Sequence, residues 1–169
     1  MAAALRMVAF PVTTGFITPM QTPPEHFKYC PRCGMQEPKI ADKKLTCGDC
    51  GFVYFFNPTI GTAGFIENDR GEILLITRGK DPAKGKLAPP GGFADYGESA
   101  EEALTREIQE ETGLVVFKWR YITSSVNWYT YDEITYPVVD FFYAARVSGK
   151  QDLDLCATET DGAHWHAKE

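Results

Sequence analysis

Residues 91–114 read GGFADYGESAEEALTREIQEETGL, a stretch with seven carboxylates and one arginine, so its net charge of −6 equals that of the whole 169-residue chain. Ser99 is placed to cap a helix, with Glu102 three residues on completing a capping box, and Gly113 closes it before Leu114 returns to the core. Ala100, Ala103, Leu104 and Ile108 recur at helical spacing and form its buried stripe. Glu107, Glu110 and Glu111 stand at i, i+3 and i+4, neighbours on the helix surface whose like charges destabilise it. They also lie near the C-terminal end, where the helix dipole disfavours carboxylates. Glu101 and Glu102, in the first turn, are favourably placed and belong to a solvated acidic face. A hard divalent cation offsets both penalties on the other three. Carboxylate oxygens suit Mg²⁺ or Mn²⁺, and sites built from a few carboxylates keep positions open for substrate phosphates.

The rest of the chain sets the frame for this helix. With 44% hydrophobic and 24% charged residues, 169 residues fit one ordinary domain plus a small appendage. No run of about 18 apolar residues is present, so no membrane association is expected. The opening MAAALRMVAFPVTTGF has one arginine and no acid. Residues 1–25 are expected to be a poorly ordered leader and the protein cytoplasmic, an organellar transit peptide being the alternative.

Four of the five cysteines form a pattern: Cys30-x-x-Cys33, thirteen residues, then Cys47-x-x-Cys50. Each C-x-x-C-G turn aims two sulfurs at one point, and two such turns make a tetrahedral Zn²⁺ site. Redox C-x-x-C pairs normally occur singly, on a strand-to-helix turn. Four cysteines close the coordination shell, so the metal is expected to be structural, holding together a ribbon over residues 26–57 that is too small to bury a core of its own. Residues 28–50 carry five basic residues against three acidic, an excess that the four thiolates cancel once zinc is counted. Nucleic-acid binding is therefore not expected. The apolar run FVYFFNP, residues 52–58, is expected to dock the ribbon on the next module without a flexible tether, Pro58 marking the boundary.

Beyond Pro58, TIGTAGFI and EILLIT flank the turn NDRG and read as a hairpin, followed by a Gly- and Pro-rich loop and the acidic helix. Further strands are expected over residues 119–125 and 138–147, with loops around 128–136. Strands before and after one central helix indicate an α/β or α+β layer architecture.

The acidic stretch resembles the Nudix box, G-x5-E-x7-R-E-U-x-E-E-x-G-U with U apolar: Gly92, Glu98, Arg106, Glu107, Ile108, Glu110, Glu111, Gly113 and Leu114 fill every defined position. The ribbon ahead of it is similar to that of the NADH pyrophosphatase branch. The resemblance implies a mixed sheet sandwiched between helices over residues 58–169, and a metal-dependent hydrolase acting on nucleoside diphosphates linked to another group, such as ADP-ribose, NDP-sugars or dinucleotides. It implies Glu107, Glu110, Glu111 and the Gly91 carbonyl as Mg²⁺ or Mn²⁺ ligands, with Glu98 either as an additional metal group or as a group behind the ligands that supports them. Arg106 would orient a glutamate, unless it forms an ordinary pair with Glu102 or Glu110. Glu159 resembles a late acidic ligand and shares with Glu107 the candidacy for general base.

The NADH branch carries after its box a motif similar to SQPWPFPxS; here residues 124–142 read SSVNWYTYDEITYPVVDFF. The Trp-Pro-Phe-Pro core is absent, so NADH preference does not carry over. Trp128, Tyr129, Tyr131 and Tyr136 are candidates to stack on a base or ribose, or else to form core or a homodimer interface. RNA-cap or RNA-end hydrolysis and non-catalytic nucleotide sensing are the alternative functions. The chain ends at HWHAKE, where related folds continue into a helix, so a partner or further segment is expected to cover that edge. His164 and His166 are expected on a surface strand.

Overall fold

The computed structural model describes residues 22–81, 83–149, 152–155 and 160–168. The leader up to residue 21 and Glu159 lie outside the described residues. The last residues assigned to the leader are ordered: α1 (Pro23–His26) is a single helical turn capped by Thr22 and Glu25. Phe27, next in the chain, stacks on Tyr54 at 5.8 Å and meets Phe56 edge-on at 5.2 Å.

Those rings belong to a small antiparallel sheet of β1 (Lys39–Ala41), β2 (Lys44–Thr46) and β3 (Val53–Phe55). Its core is Leu45 with Cys30 and Cys47, all buried. The run at 52–58 thus supplies the ribbon's own third strand, and Val53, Tyr54 and Phe55 stay exposed. This corrects the expected docking role. Tyr54 and Phe56 find their partner within the ribbon, in Phe27.

The larger sheet runs β6-β5-β4-β8-β7, with β9 on the free side of β5. Its strands are β4 (Thr59–Glu67), β5 (Ile73–Arg78), β6 (Leu87–Ala88), β7 (Arg120–Tyr131), β8 (Ile134–Arg146) and β9 (Thr160–His166). The β4–β5 turn forms as the sequence indicates: the Asn68 side chain accepts from the Arg70 and Glu72 amides at 2.9 and 3.0 Å, and Gly71 takes φ 77°. β4 and β8 pair in parallel from Thr59↔Val138 to Glu67↔Arg146, and every other strand pairing is antiparallel. Pro137 lies one residue beyond the end of that parallel pairing, where its missing N–H costs no ladder bond.

The predicted acidic helix is α2 (Ala100–Thr112), with Ser99 and Glu102 forming the capping box and Gly113 in the left-handed conformation at its end. Leu104 and Ile108 are fully buried against Ile66, Leu74 and Tyr143, each contributing about 1.5–3 kcal/mol of transfer free energy. Gly64 lets the helix approach: a Cβ there would lie 3.0 Å from the Trp119 ring and 3.5 Å from Ile108 Cδ1. Among the described residues α2 is the one long helix on the sheet.

One departure from a regular sheet positions the site. β5 pairs with β4 only at Glu67↔Ile73, and the two then diverge. Residues 90–94 enter the gap beside β4. The amides of Gly64, Thr62 and Ala94 bond in turn to Pro90 O (2.9 Å), Gly92 O (2.8 Å) and Ile60 O (3.0 Å). A side chain at Gly91, φ 145°, would collide with the Thr62 carbonyl, so the wedge closes only on glycine.

Candidate functional site

The wedge lays the box loop against the acidic helix, and Arg106 ties the two together. Its Nε and one terminal nitrogen donate to the two oxygens of Glu98 at 2.9 and 3.0 Å. The other terminal nitrogen donates to Glu107 at 2.9 Å and Glu110 at 3.1 Å, and Phe93 O accepts a further bond at 3.1 Å. Glu102 is taken by the Ser99 hydroxyl and amide, so of the two ordinary pairings considered for Arg106 only that with Glu110 forms. Hydrogen bonds from Arg106, then from the Asp95 amide, hold the Glu98 carboxyl down at about 2. Its hydrogen bonds to Glu98 first, then to Glu107 and Glu110, push the Arg106 guanidinium up against the lowering effect of burial.

The three glutamates read as one surface row differ in surroundings. Glu111 is buried, 7% exposed, and accepts a bond from the Gly91 amide at 2.9 Å. Glu107 lies under Gly92, where any Cβ would strike its carboxylate. Glu110 keeps 53% of its side chain in solvent. The sequence placed all three on one face; in the fold Glu111 is buried, Glu107 keeps only 15% of its side chain exposed, and Glu110 stays in solvent. Burial of Glu111 is the part helical spacing does not reveal, because it depends on residues 90–92 crossing β4.

Chemically, the assembly is an oxygen-rich donor set, Glu98, Glu107, Glu110 and Glu111 with the backbone of Gly91, which suits hard divalent cations. Its carboxylates are spaced around Arg106: among the described residues only the cysteines bring three or more ligand atoms within 4.8 Å of one another. Thr160, which follows Glu159, is buried with its hydroxyl 3.4 Å from the Glu111 carbonyl.

Residues 128–131 and 134–136, expected as loops, are strand. β7 and β8 form one long hairpin turned by Asp132 and Glu133, at φ 47° and 69°. Tyr129 pairs directly with Tyr136, and Tyr131 shares their face by alternation; Trp128, opposite Pro137, points to the other face. The four aromatics do not form one patch. Tyr129 instead meets Phe93 of the box loop, ring centroids 5.3 Å apart and edge to face. Two residues that sequence reasoning passed over join this face. Phe93 is one; the other is Asp140, a half-buried carboxylate whose ordinary value burial raises and an Asn127 bond lowers. A lone acid inside the apolar run YPVVDFF was the available signal.

The second cluster is Cys30, Cys33, Cys47 and Cys50, all free thiols with their sulfurs within 4.8 Å of one another. Cys30 and Cys50 are 3.8 Å apart, Cys33 and Cys47 3.6 Å. A tetrahedron with metal–sulfur bonds of about 2.3 Å has edges of about 3.8 Å, so the cluster fits a zinc ion. Gly34 and Gly51, φ 77° and 69°, close the two knuckles by bonding back to Cys30 O and Cys47 O at 2.9 and 3.2 Å.

The model of the NUDIX domain family matches residues 57–169. An ADP-ribose pyrophosphatase of Methanocaldococcus jannaschii is 51% identical over 61 residues, 36% of this chain and 36% of that protein. The NAD-capped RNA hydrolase NudC of Pseudomonas aeruginosa is 27% identical over 141 residues, 83% of this chain and 48% of that protein. The chain therefore matches about half or less of the length of these curated relatives. A crystal structure of a MutT NUDIX hydrolase from Burkholderia pseudomallei superposes with a TM-score of 0.57 at 28% identity, over 66% of this chain and 84% of that one.

Proposed function

Because the chain belongs to the Nudix family, whose members use divalent metal, we propose that it hydrolyses the diphosphate bridge of a nucleoside diphosphate joined to a second organic group. The observation that carries this reading is the Arg106 cluster of Glu98, Glu107 and Glu110, coupled to the box loop by the Glu111–Gly91 bond. The relatives' names point the same way, since ADP-ribose and NAD both contain adenosine diphosphate bonded to another group.

In this reading Glu107, Glu110, Glu111 and the Gly91 carbonyl hold Mg²⁺ or Mn²⁺, with Glu98 as a further group. Bound there, the ions neutralise the diphosphate and lower the pKa of the attacking water. Glu107 or Glu159 accepts that water's proton. Arg106 keeps Glu98, Glu107 and Glu110 oriented, and Tyr129, Tyr131 and Tyr136 offer aromatic faces to the nucleoside, while Trp128, on the opposite face of the hairpin, does not share that surface. The four cysteines hold a structural Zn²⁺, so the chain divides into a leader to residue 25, a ribbon over 26–57 and the hydrolase domain over 58–169. A cytoplasmic location is part of the proposal, as is the absence of nucleic acid and membrane partners; among the described residues no helix is long and apolar enough to cross a membrane.

A panel of ADP-ribose, NADH, NDP-sugars, diadenosine polyphosphates and oxidised dNTPs, with products identified, tests the substrate class. A diphosphate-linked nucleotide should give the highest kcat/KM, because contacts to a second organic group supply binding energy to the chemical step. Faster turnover of any dNTP than of every linked diphosphate would overturn the assignment.

A homodimer completes the proposal. Among the described residues β7 is an edge strand, twelve residues long, whose one charged side chain is Arg120, and Ile122, Val126, Trp128 and Tyr131 are exposed along it. Such an edge is a template for pairing with another chain. Light scattering should return twice the 18.9 kDa chain mass; a monomer at micromolar concentration would remove the dimer and leave the hydrolase reading untouched.

A further inference from the structure

The face of the sheet turned away from α2, beside the box loop, holds a carboxylate that the chemistry above does not use. Ser125, Asp140, Gly61 and Phe93 stand side by side across four neighbouring segments of the sheet, paired as Ser125↔Asp140, Gly61↔Asp140 and Gly61↔Phe93. Gly61 has no side chain, and a Cβ there would collide with Oδ1 of Asp140, so the carboxyl group leans over Gly61, the strand between it and the box loop. Asn127, two residues along β7 from Ser125, hydrogen-bonds to it. The Phe93 and Tyr129 rings meet at one side of this floor. The loop that carries Phe93 touches Glu107 at Gly92 and Glu111 at Gly91.

A carboxylate offers about four acceptor sites, which one amide side chain does not fill. Half-burial makes the unfilled sites costly, and burial indeed raises this carboxyl above its ordinary range. A negative floor repels phosphate, so the group it receives is an uncharged part of the substrate that carries donors. Two carboxylate oxygens match the paired hydroxyls of a ribose, the contact by which acidic residues hold ribose in dinucleotide sites. The neighbouring rings suit the attached base.

We propose that Asp140, steadied by Asn127, is a specificity-determining residue that accepts hydrogen bonds from the ribose hydroxyls of the substrate's nucleoside, in a subsite walled by Phe93 and Tyr129. This rests on the nucleoside diphosphate reading above.

The test compares wild type, Asp140→Ala and the isosteric Asp140→Asn on ADP-ribose, its analogue with 2′-deoxyadenosine and its analogue with inosine. Calorimetric binding of AMP and 2′-deoxy-AMP without added divalent ion accompanies the kinetics. Losing a hydrogen bond to a charged group should raise KM for ADP-ribose about tenfold or more in Asp140→Ala, well beyond any fall in kcat, with a smaller change of the same sign in Asp140→Asn. The inosine analogue should lose as much as ADP-ribose, and the deoxy analogue, already weak with wild type, should lose little further. Equal losses on the ribo and deoxy substrates, or a KM for ADP-ribose within about twofold of wild type in either folded variant, overturn the proposal. An inosine analogue that alone ignores the substitution also overturns it, because Asp140 would then read the base amine. If wild type hydrolyses no linked diphosphate, the proposed function fails, while the affinity ratio of AMP to 2′-deoxy-AMP in wild type and variants still decides the role of Asp140. Gly61→Ala, whose new methyl displaces the carboxyl group, should reproduce the Asp140→Ala loss in that ratio; a wild-type ratio in a folded Gly61→Ala would count against the subsite.

Discussion

Glu111→Gln is expected to lower turnover at least about a hundredfold while the fold stays intact. The two effects separate because Glu111 has two duties. Structurally, its buried carboxylate accepts the Gly91 amide at 2.9 Å and so fixes the box loop to α2. A glutamine oxygen accepts that bond in the same shape, whereas alanine would leave a buried amide unpaired at about 1–3 kcal/mol. Chemically, in the proposed metal site, glutamine removes the negative charge that a divalent cation requires. A hundredfold loss corresponds to about 2.7 kcal/mol of transition-state stabilisation, within the range for removing one electrostatic contributor. Thermal unfolding should therefore shift little while the dependence of rate on Mg²⁺ or Mn²⁺ moves to higher concentration or disappears. Equal rates for variant and wild type across a metal titration would take Glu111 out of the metal site.

Cys47→Ser should abolish stoichiometric zinc and unfold the ribbon while leaving much of the hydrolase activity. Cys47 is buried, its sulfur 3.6 Å from Cys33, and its backbone closes the second knuckle through the Gly51 amide. Beyond the cysteines the ribbon has one fully buried apolar side chain of any size, Leu45, and three strands of three residues each. Structural zinc in comparably small units contributes on the order of 10–16 kcal/mol of apparent binding free energy, which in the proposed zinc ribbon would be folding free energy. Metal analysis of wild type should give about one zinc per chain, and amide exchange in the variant should rise across residues 28–56 but not in β4, β5 or α2. Activity that tracked zinc content alone would reassign the catalytic metal to the ribbon.

The parts of this structure that were legible in the sequence are held by contacts close along the chain. The α2 boundaries follow from Ser99, Glu102 and Gly113, which satisfy or terminate the backbone bonds of the first and last turns whatever packs against them. The Asn68 turn and the two cysteine knuckles are of the same kind, each closed within five residues. The strand at 128–131 was missed because an Asp-Glu pair at positive φ is not a usual hairpin turn, and its pairing with β8 holds it there regardless.

The amino-acid sequence by itself determined which residues could do the chemistry: a capped helix with Glu107, Glu110 and Glu111 on adjoining positions, an arginine among them, and four thiols in two pairs. Tertiary structure decided how they are used. Parallel pairing of β4 with β8, across more than seventy residues, put Asp140 over Gly61. The divergence of β5 from β4 admitted residues 90–94, and with them came the burial of Glu111 and the choice by Arg106 of Glu98 over Glu102. The physical reason is range. Caps and knuckles are fixed by bonds a few residues long, whereas burial, and with it the electrostatic character of a carboxylate, is set by whichever distant segment the sheet brings alongside.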